Sequence, residues 1–291
     1  MKPNFIASSL QLALMLELSI TPKPGLIDRR TYNGTYEQYL ATISILYPYF
    51  YEAASNKNKP LGSIIEAACL KMLNSQHGGN THLGTILLLI PIARAAANTK
   101  QYKKLNKSLK NTILTMNHED TTRIFQAIRT IKPGGLKRVA YLDVTKEKTY
   151  KRIQKEKIGV IEALKPYVEY DVVAHEYITG YSLTTAGYEF LKKEINVQRR
   201  NINDAGVVTF LKLLSVKPDF SIARRFGITY AKHISRFASK ILLHGCLETS
   251  RGRKLLFELD SRLRKQGVKP SSTVDVLAAS ISMLTLLGWK P

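Results

Sequence analysis

Apolar positions recur at spacings of three and four along nearly every long segment, whereas alternating apolar and polar runs bounded by turn residues are hard to find. The pattern predicts a mainly helical chain, with helices over 4–19, 35–55, 61–75, 81–98, 119–130, 149–165, 167–195, 203–216, 219–244, 251–266 and 273–289. Punctuation supports several of these. Asp219 precedes "FSIARRFGITYAKHISRFASKILLH" as an N-cap, and Gly267 follows "RKLLFELDSRLRKQ" where a helix-ending glycine belongs. No Gly/Ser/Pro linker divides the chain and no internal repeat is visible. The expectation is therefore an all-α fold, one compact multi-helix domain over residues 1–291 with Gly/Pro-rich loops between its helices.

Composition narrows the class. A chain of 291 residues with 44% hydrophobic content can bury a substantial core. Lys and Arg total 44 against 22 Asp and Glu, a formal charge of +22. Such an excess either sits on a solvated surface or attracts an anion such as phosphate, nucleic acid or a membrane. Many of the lysines fall in mixed stretches, "TKEKTYKRIQKEK" (145–157) and "QYKKLNKSLKN" (101–111), which read as wet helix faces or loops. The only cysteines, Cys69 and Cys246, have no CxxC spacing, so neither a disulfide framework nor a zinc site is indicated and a reducing cytoplasm fits. The first apolar stretch carries Gln11 and Glu17 and lacks a signal-peptide cleavage site, and "LGTILLLIPIARAAA" (83–97) is too short to cross a bilayer. A soluble cytoplasmic protein is expected.

Four interruptions of the helical pattern join glycine or proline to groups suited to phosphate or a metal ion. In "TPKPGLIDRR" (21–30), prolines 22 and 24 hold Lys23 in a stiff extended segment, and Asp28 and Arg29 follow closely. A stiffened lysine loses less entropy on meeting an anion, although a plain helix stop would look the same. In "QHGGNTHLGTILLL" (76–89), Gly78 and Gly79 permit close backbone approach. Asn80 or Thr81 can cap the next helix, whose first amides would face an anion, and His82 could donate to a phosphate or a leaving group. "IRTIKPGGLKRVAYLDV" (128–144) repeats the device with Gly134 and Gly135, flanked by Lys137, Arg138 and Asp143. "KPSSTVDVLAAS" (269–280) puts Asp275 in the first turn of the last helix, where the helix dipole favours an acid whatever its role. Asp171, His175 and Glu176 are spaced to lie within about one helical turn of each other.

Taken in order, "TPKPGLIDRR", "GGNTHLG", "HEDTTRIFQAIRTIKPGGLKRVAYLDV", "DVVAHEYITGY", "VVTFLKLLSVKPDFSIARRFG" and "VDVLAAS" resemble the successive signature stretches of the triphosphoribosyl-dephospho-CoA synthase family, from about residue 18 to 285. The resemblance implies an all-helical transferase that joins the triphosphoribosyl part of ATP to the ribose 2'-hydroxyl of 3'-dephospho-CoA and releases adenine. It implies a carboxylate for the hydroxyl proton, a donor for the departing base and cations for the triphosphate. On that basis Lys23 and Arg29 are expected on phosphates, with backbone amides from Gly78, Gly79, Gly134 and Gly135 and the Asn80–Thr81 turn. Asp28 and Asp143 would hold Mg2+, Asp275 or Glu176 would be the base, and His82 would donate to adenine. Such a site requires residues 23, 28, 79, 135 and 143 to share one cleft.

Departures from the bacterial pattern touch the acceptor. Tyr36 falls where a histidine is usual, Ser271 and Ser272 replace glycines, and Cys69 stands where a glutamate is common, with Glu66 one turn earlier. These changes resemble a divergent, archaeal-like branch of that family, and they leave the acceptor open to a relative of dephospho-CoA. The alternatives are a nucleotide hydrolase or nucleosidase on the same scaffold and a non-enzymatic nucleic-acid-binding protein. The dispersed charge argues against nucleic acid. Self-association is left open.

Overall fold

A computed structural model describes residues 1–31, 35–99, 101–136 and 139–291; Lys137 and Arg138 lie outside the described residues. Among those described, every regular element is helical. The first half carries α1 (Pro3–Ser19), α2 (Thr35–Ser55), α3 (Leu61–Asn74), α4 (Leu83–Ala96), α5 (Tyr102–Leu114), α6 (His118–Ile131) and α7 (Glu147–Glu156). The second carries α8 (Val160–Leu164), α9 (Val172–Thr179), α10 (Ser182–Asn196), α11 (Ile202–Val216), α12 (Phe220–Phe226), α13 (Ile228–Leu243), α14 (Ser250–Lys265) and α15 (Ser271–Leu286). None is long and apolar enough to cross a membrane.

Two helices are apolar on nearly every face and must therefore be central. In α4 every residue from Thr85 to Ala93 is buried, and in α15 so is every residue from Val276 to Leu286. The two pack on each other and on α1, which also lies along α2. The rest form an outer layer, with α3 on α6 and α11 on α13. Arg94, the one charge in the apolar run of α4, emerges at its last turn. Its guanidinium donates to the carbonyls of Ala53, Asn56, Lys57 and Lys59 and so fixes the turn between α2 and α3.

Three expected helices are each broken in two. Lys157 takes a left-handed conformation (φ 52°) between α7 and α8, Gly180 and Tyr181 do so (φ 69° and 63°) between α9 and α10, and Gly227 (φ 93°) parts α12 from α13. Residues 102–111 belong to α5, where Leu105, Leu109 and Ile113 bury one stripe at four-residue spacing and Lys104, Lys107 and Lys110 stay in water. Asp219 caps α12 by accepting from Ile222 N at 2.9 Å, and Gly267 (φ 62°) follows the end of α14.

Candidate active site

The inner ends of α1, α4 and α15 meet the turns at 80–82, 133–136 and 269–271 around a cavity of about 1100 Å³. That is as large as the roomiest single-ligand sites. Its walls are mainly apolar, with Leu26, Ile27, Phe125 and Tyr167 among them, and the polar groups gather in two places.

The inner group is Glu17, Tyr39, His82 and Asp275. Asp275 lies against the first turn of α4, where Thr85 Oγ1 donates to its Oδ1 at 2.5 Å. Gly84 makes room for it, since a Cβ there would stand 2.2 Å from Asp275 Oδ2. Burial pushes its carboxyl up to about 7, against the Thr85 hydrogen bond and with help from the charge of Glu17. Glu17 is also raised by burial, opposed by Lys23 beside it. Tyr39 is pushed to about 12 by burial and by these two acids. The ring of His82 stands edge-on to that of Tyr39 at 5.0 Å, and neither of its nitrogens has a hydrogen-bond partner among the described residues. Burial, reinforced by the charge of Lys23, drives His82 down to about 3. It is neutral at physiological pH.

The second group rims the mouth. Arg224 and Arg225 of α12 and Lys269 line the cavity there with Gly134 and Gly135. Asp171 caps α9 through Val173 N and Ala174 N and takes Arg224 at 3.1 Å.

Of the residues expected from sequence, Asn80, Thr81, His82, Gly134, Gly135 and Asp275 line this cavity. Asn80 Oδ1 accepts from Leu83 N at 3.0 Å and so caps α4, while Thr81 pairs with Thr42 at 2.8 Å. The others are held elsewhere, so residues 23, 28, 79 and 143 do not share the cleft of Gly135. Lys23 is only 1% exposed; its Nζ donates to the Glu17 carbonyl at 2.5 Å and to the Glu17 carboxylate. Asp28 is fully buried and accepts from Thr21 Oγ1, the amides of Lys23 and Arg30, and the Arg30 guanidinium, with Arg264 at 3.5 Å. Burial would raise its carboxyl, but these hydrogen bonds and the Arg30 charge hold it below the usual value. Arg29 is exposed and reaches Asn203.

The Gly78–Gly79 turn closes on the Gln76 side chain, which accepts from Gly78 N and donates to Gly79 O. Asp143 accepts from the amide and hydroxyl of Thr145, at 2.9 and 2.7 Å. Glu176 is buried with its two oxygens on Leu183 N and Thr184 N, capping α10; this commitment, and not general-base work, explains it. His175 packs against Phe220 outside the cavity. A resident magnesium on Asp28 and Asp143 does not fit these partners, and no group of three or more metal-ligating side chains occurs among the described residues. Neutral His82 also lacks the extra proton that a cationic donor to adenine would need.

Sequence reasoning missed Glu17, Tyr39, Arg224, Arg225 and Lys269 as site residues. Glu17 had a signal, since a carboxylate in the last turn of an otherwise apolar helix needs a buried partner.

Cations at the mouth and a near-neutral carboxyl at the inner end suit a phosphorylated substrate from which a proton is removed, the equipment of an all-helical enzyme of nucleotide chemistry. The whole sequence narrows this. Residues 3–291 match the ATP:dephospho-CoA triphosphoribosyl transferase family, and the chain belongs to it. A Streptococcus equi subsp. equi protein is 25% identical over 291 residues, covering 92% of each chain. A Pectobacterium carotovorum protein is 23% identical, covering 91% of this chain and 84% of its own. Both are provisionally named 2-(5''-triphosphoribosyl)-3'-dephosphocoenzyme-A synthases. A crystal structure from Archaeoglobus fulgidus, provisionally assigned as a triphosphoribosyl-dephospho-CoA synthase, superposes with a TM-score of 0.69 at 24% identity, over 86% of this chain and 100% of that one. At that identity the likeness establishes the fold. The family and the all-helical architecture implied by the sequence motifs are both borne out.

Proposed function

We propose that this protein transfers the triphosphoribosyl group of ATP to the 2'-hydroxyl of dephospho-CoA, or a close relative, with Asp275 as general base. The acceptor oxygen bonds to the anomeric carbon while the bond from that carbon to the adenine nitrogen breaks and its electron pair leaves with the base. The hydroxyl proton passes to Asp275, and a proton from solvent completes adenine. His82, being neutral, donates a hydrogen bond to the leaving base and keeps its proton. Glu17 lines the same end with its carboxylate already paired to Lys23, and is given no part in the chemistry. Magnesium enters with the triphosphate as part of the substrate, and the cytoplasm, where ATP is at hand, is the compartment.

The observation that carries this is the placement of Asp275. It is the one residue of the two proposed bases that lines the cavity, and its affinity for a proton is close to that of the medium, which suits a base. Neither the hydrolase nor the nucleic-acid alternative gains support from the relatives.

The test is incubation with ATP, magnesium and dephospho-CoA, followed by mass analysis. Free adenine and a triphosphoribosylated product in equal amounts are expected. Adenine released equally fast without the acceptor would make the protein a nucleosidase, and no adenine at all would end the proposal.

A further inference from the structure

We infer that the mouth of the cavity is a triphosphate subsite built by Arg224, Arg225, Lys269 and the amides of Gly134 and Gly135. It deepens the transferase reading and rests on it for the identity of the guest, though not for the chemistry of the site.

Charge accounting comes first. The acids that line this end are Asp171 and Glu169, and each already has a cation: Asp171 takes Arg224 at 3.1 Å and Glu169 takes Lys217 at 3.3 Å. Arg225, whose guanidinium lies 5.3 Å from the Phe226 ring centroid, and Lys269 line the cavity and have no ion-pair partner among the described residues, so two charges at this end are not neutralised by an acid. Arg224 keeps a fixed direction because its Nη1 donates both to Asp171 and to the Tyr170 carbonyl, while its Nε and Nη2 donate to nothing among the described residues.

The scaffold brings these groups together. Ser221, at the start of α12, donates through its amide to Ser272 Oγ at 3.0 Å and through its hydroxyl to the Lys269 carbonyl at 3.0 Å. Asp219 accepts from Ile222 N and from Thr273 N and Oγ1, binding the same two elements. The arginines one turn along α12 and the lysine just before α15 are thus carried by one stitched unit. Opposite them, a Cβ on Gly135 (φ 82°) would stand 2.9 Å from Arg225 Cγ and 3.4 Å from Arg224 Nε, so only glycine permits this approach. The Gly134 and Gly135 amides donate to no acceptor among the described residues, which leaves two N–H groups beside the cations. The N-terminus of α15 adds little, because Ser271 N, Thr273 N and Val274 N are already bonded to Lys269 O, Asp219 and Pro270 O.

Spacing fits the reaction. Asp275 lies four residues into α15 from Ser271, roughly 6 Å along its axis. That is about the width of a ribose ring, so phosphates on the 5'-carbon can sit at the rim while the anomeric carbon lies near Asp275.

The probe is inorganic triphosphate, titrated calorimetrically into the full chain at physiological salt. The Arg225→Ala/Lys269→Ala double variant should bind it about a hundredfold more weakly, roughly tenfold for each charge-assisted contact removed. Both side chains are exposed, and unchanged circular dichroism will show that the fold persists. The control, Lys104→Ala/Lys107→Ala, removes the same charge from the exposed face of α5 and should bind as the parent does. Less than tenfold weakening in the first variant, an equal loss in the control, or no binding by the parent would overturn the subsite. Inorganic pyrophosphate binding as tightly as triphosphate would also overturn it, giving the rim to the diphosphate of the acceptor. None of these outcomes depends on turnover, so adenine release continues to test the transferase reading separately.

Discussion

Asp275→Asn sets stability against activity in a way that only a desolvated, near-neutral carboxyl produces, here one that is half-buried against the cavity. In an unfolded chain the group titrates near 3.8, and in the fold near 7. The proton is therefore held more tightly by the folded protein. Below pH 3.8 both states are protonated and the residue costs nothing. Between 3.8 and 7 the unfolded chain alone is ionised, and the penalty on folding grows by about 1.4 kcal/mol per pH unit. Above 7 it levels off at up to about 4 kcal/mol, three units' worth.

Asparagine has nearly the same shape, can still accept from Thr85 Oγ1 and cannot ionise. The variant should consequently be more stable than the parent at pH 8, by up to about 4 kcal/mol, and equal to it at pH 4. It should also lose transfer activity by about 10²–10⁴-fold, the usual worth of a general base. Urea unfolding at several pH values gives the first quantity and adenine release the second. In the parent, kcat/KM should rise with pH and flatten above about 7 as the carboxyl ionises. A variant with no pH-dependent gain in stability would show that the carboxylate is not desolvated as the structure places it. Full activity in the variant would remove Asp275 from the chemistry.

Gly84→Ala should cut activity while leaving stability within about 1 kcal/mol, because the new methyl can displace the end of the Asp275 side chain with little backbone movement; an unaltered rate would show that the carboxylate position is unimportant. His82→Leu should unfold no earlier than the parent, since two unpartnered buried nitrogens are removed, yet lose activity; a clear drop in melting temperature would make the histidine structural. Lys23→Ala should cost on the order of 3 kcal/mol in urea unfolding by stranding Glu17 in the interior, whereas weaker ATP binding at unchanged stability would return the lysine to the phosphates. Asp28→Asn should lower the melting temperature by weakening the arginine contacts of its loop, and an active variant of parental stability would contradict the packing described.

The helices were legible where one face is buried throughout, as in α11, and the segment of α5 already carried a four-residue stripe beneath its lysines. Their breaks were not. The expected helix over 167–195 ran straight through Gly180, and Tyr181 and Lys157 adopt left-handed torsions that nothing in their own side chains favours; packing imposes them. The site was legible at the Gly-rich turns, because 80–82, 134–135 and 275 do converge. It was not legible in the Lys-Pro-Gly and Asp-Arg-Arg stretch, whose residues look reactive singly yet satisfy one another once folded. Pairings between distant residues decide this: Arg264 completes the shell of Asp28, and Glu17 receives Lys23.

A physical rule separates the two groups of acids. Asp28 and Glu176 are surrounded by donors, which neutralise or satisfy each carboxylate and leave it nothing to offer a substrate. Asp275 has one hydroxyl, and His82 has no partner among the described residues, although burying such groups opposes folding. Thr209 and His175 also bury polar atoms without partners among the described residues, but away from the cavity, whereas a ligand can satisfy those that face it. Here all of them that face the large cavity lie along its inner end, beyond the cationic rim. A ligand with a proton to give and a base to release would supply the missing partners, and the free energy spent on burying Asp275 and His82 is recovered in the complex.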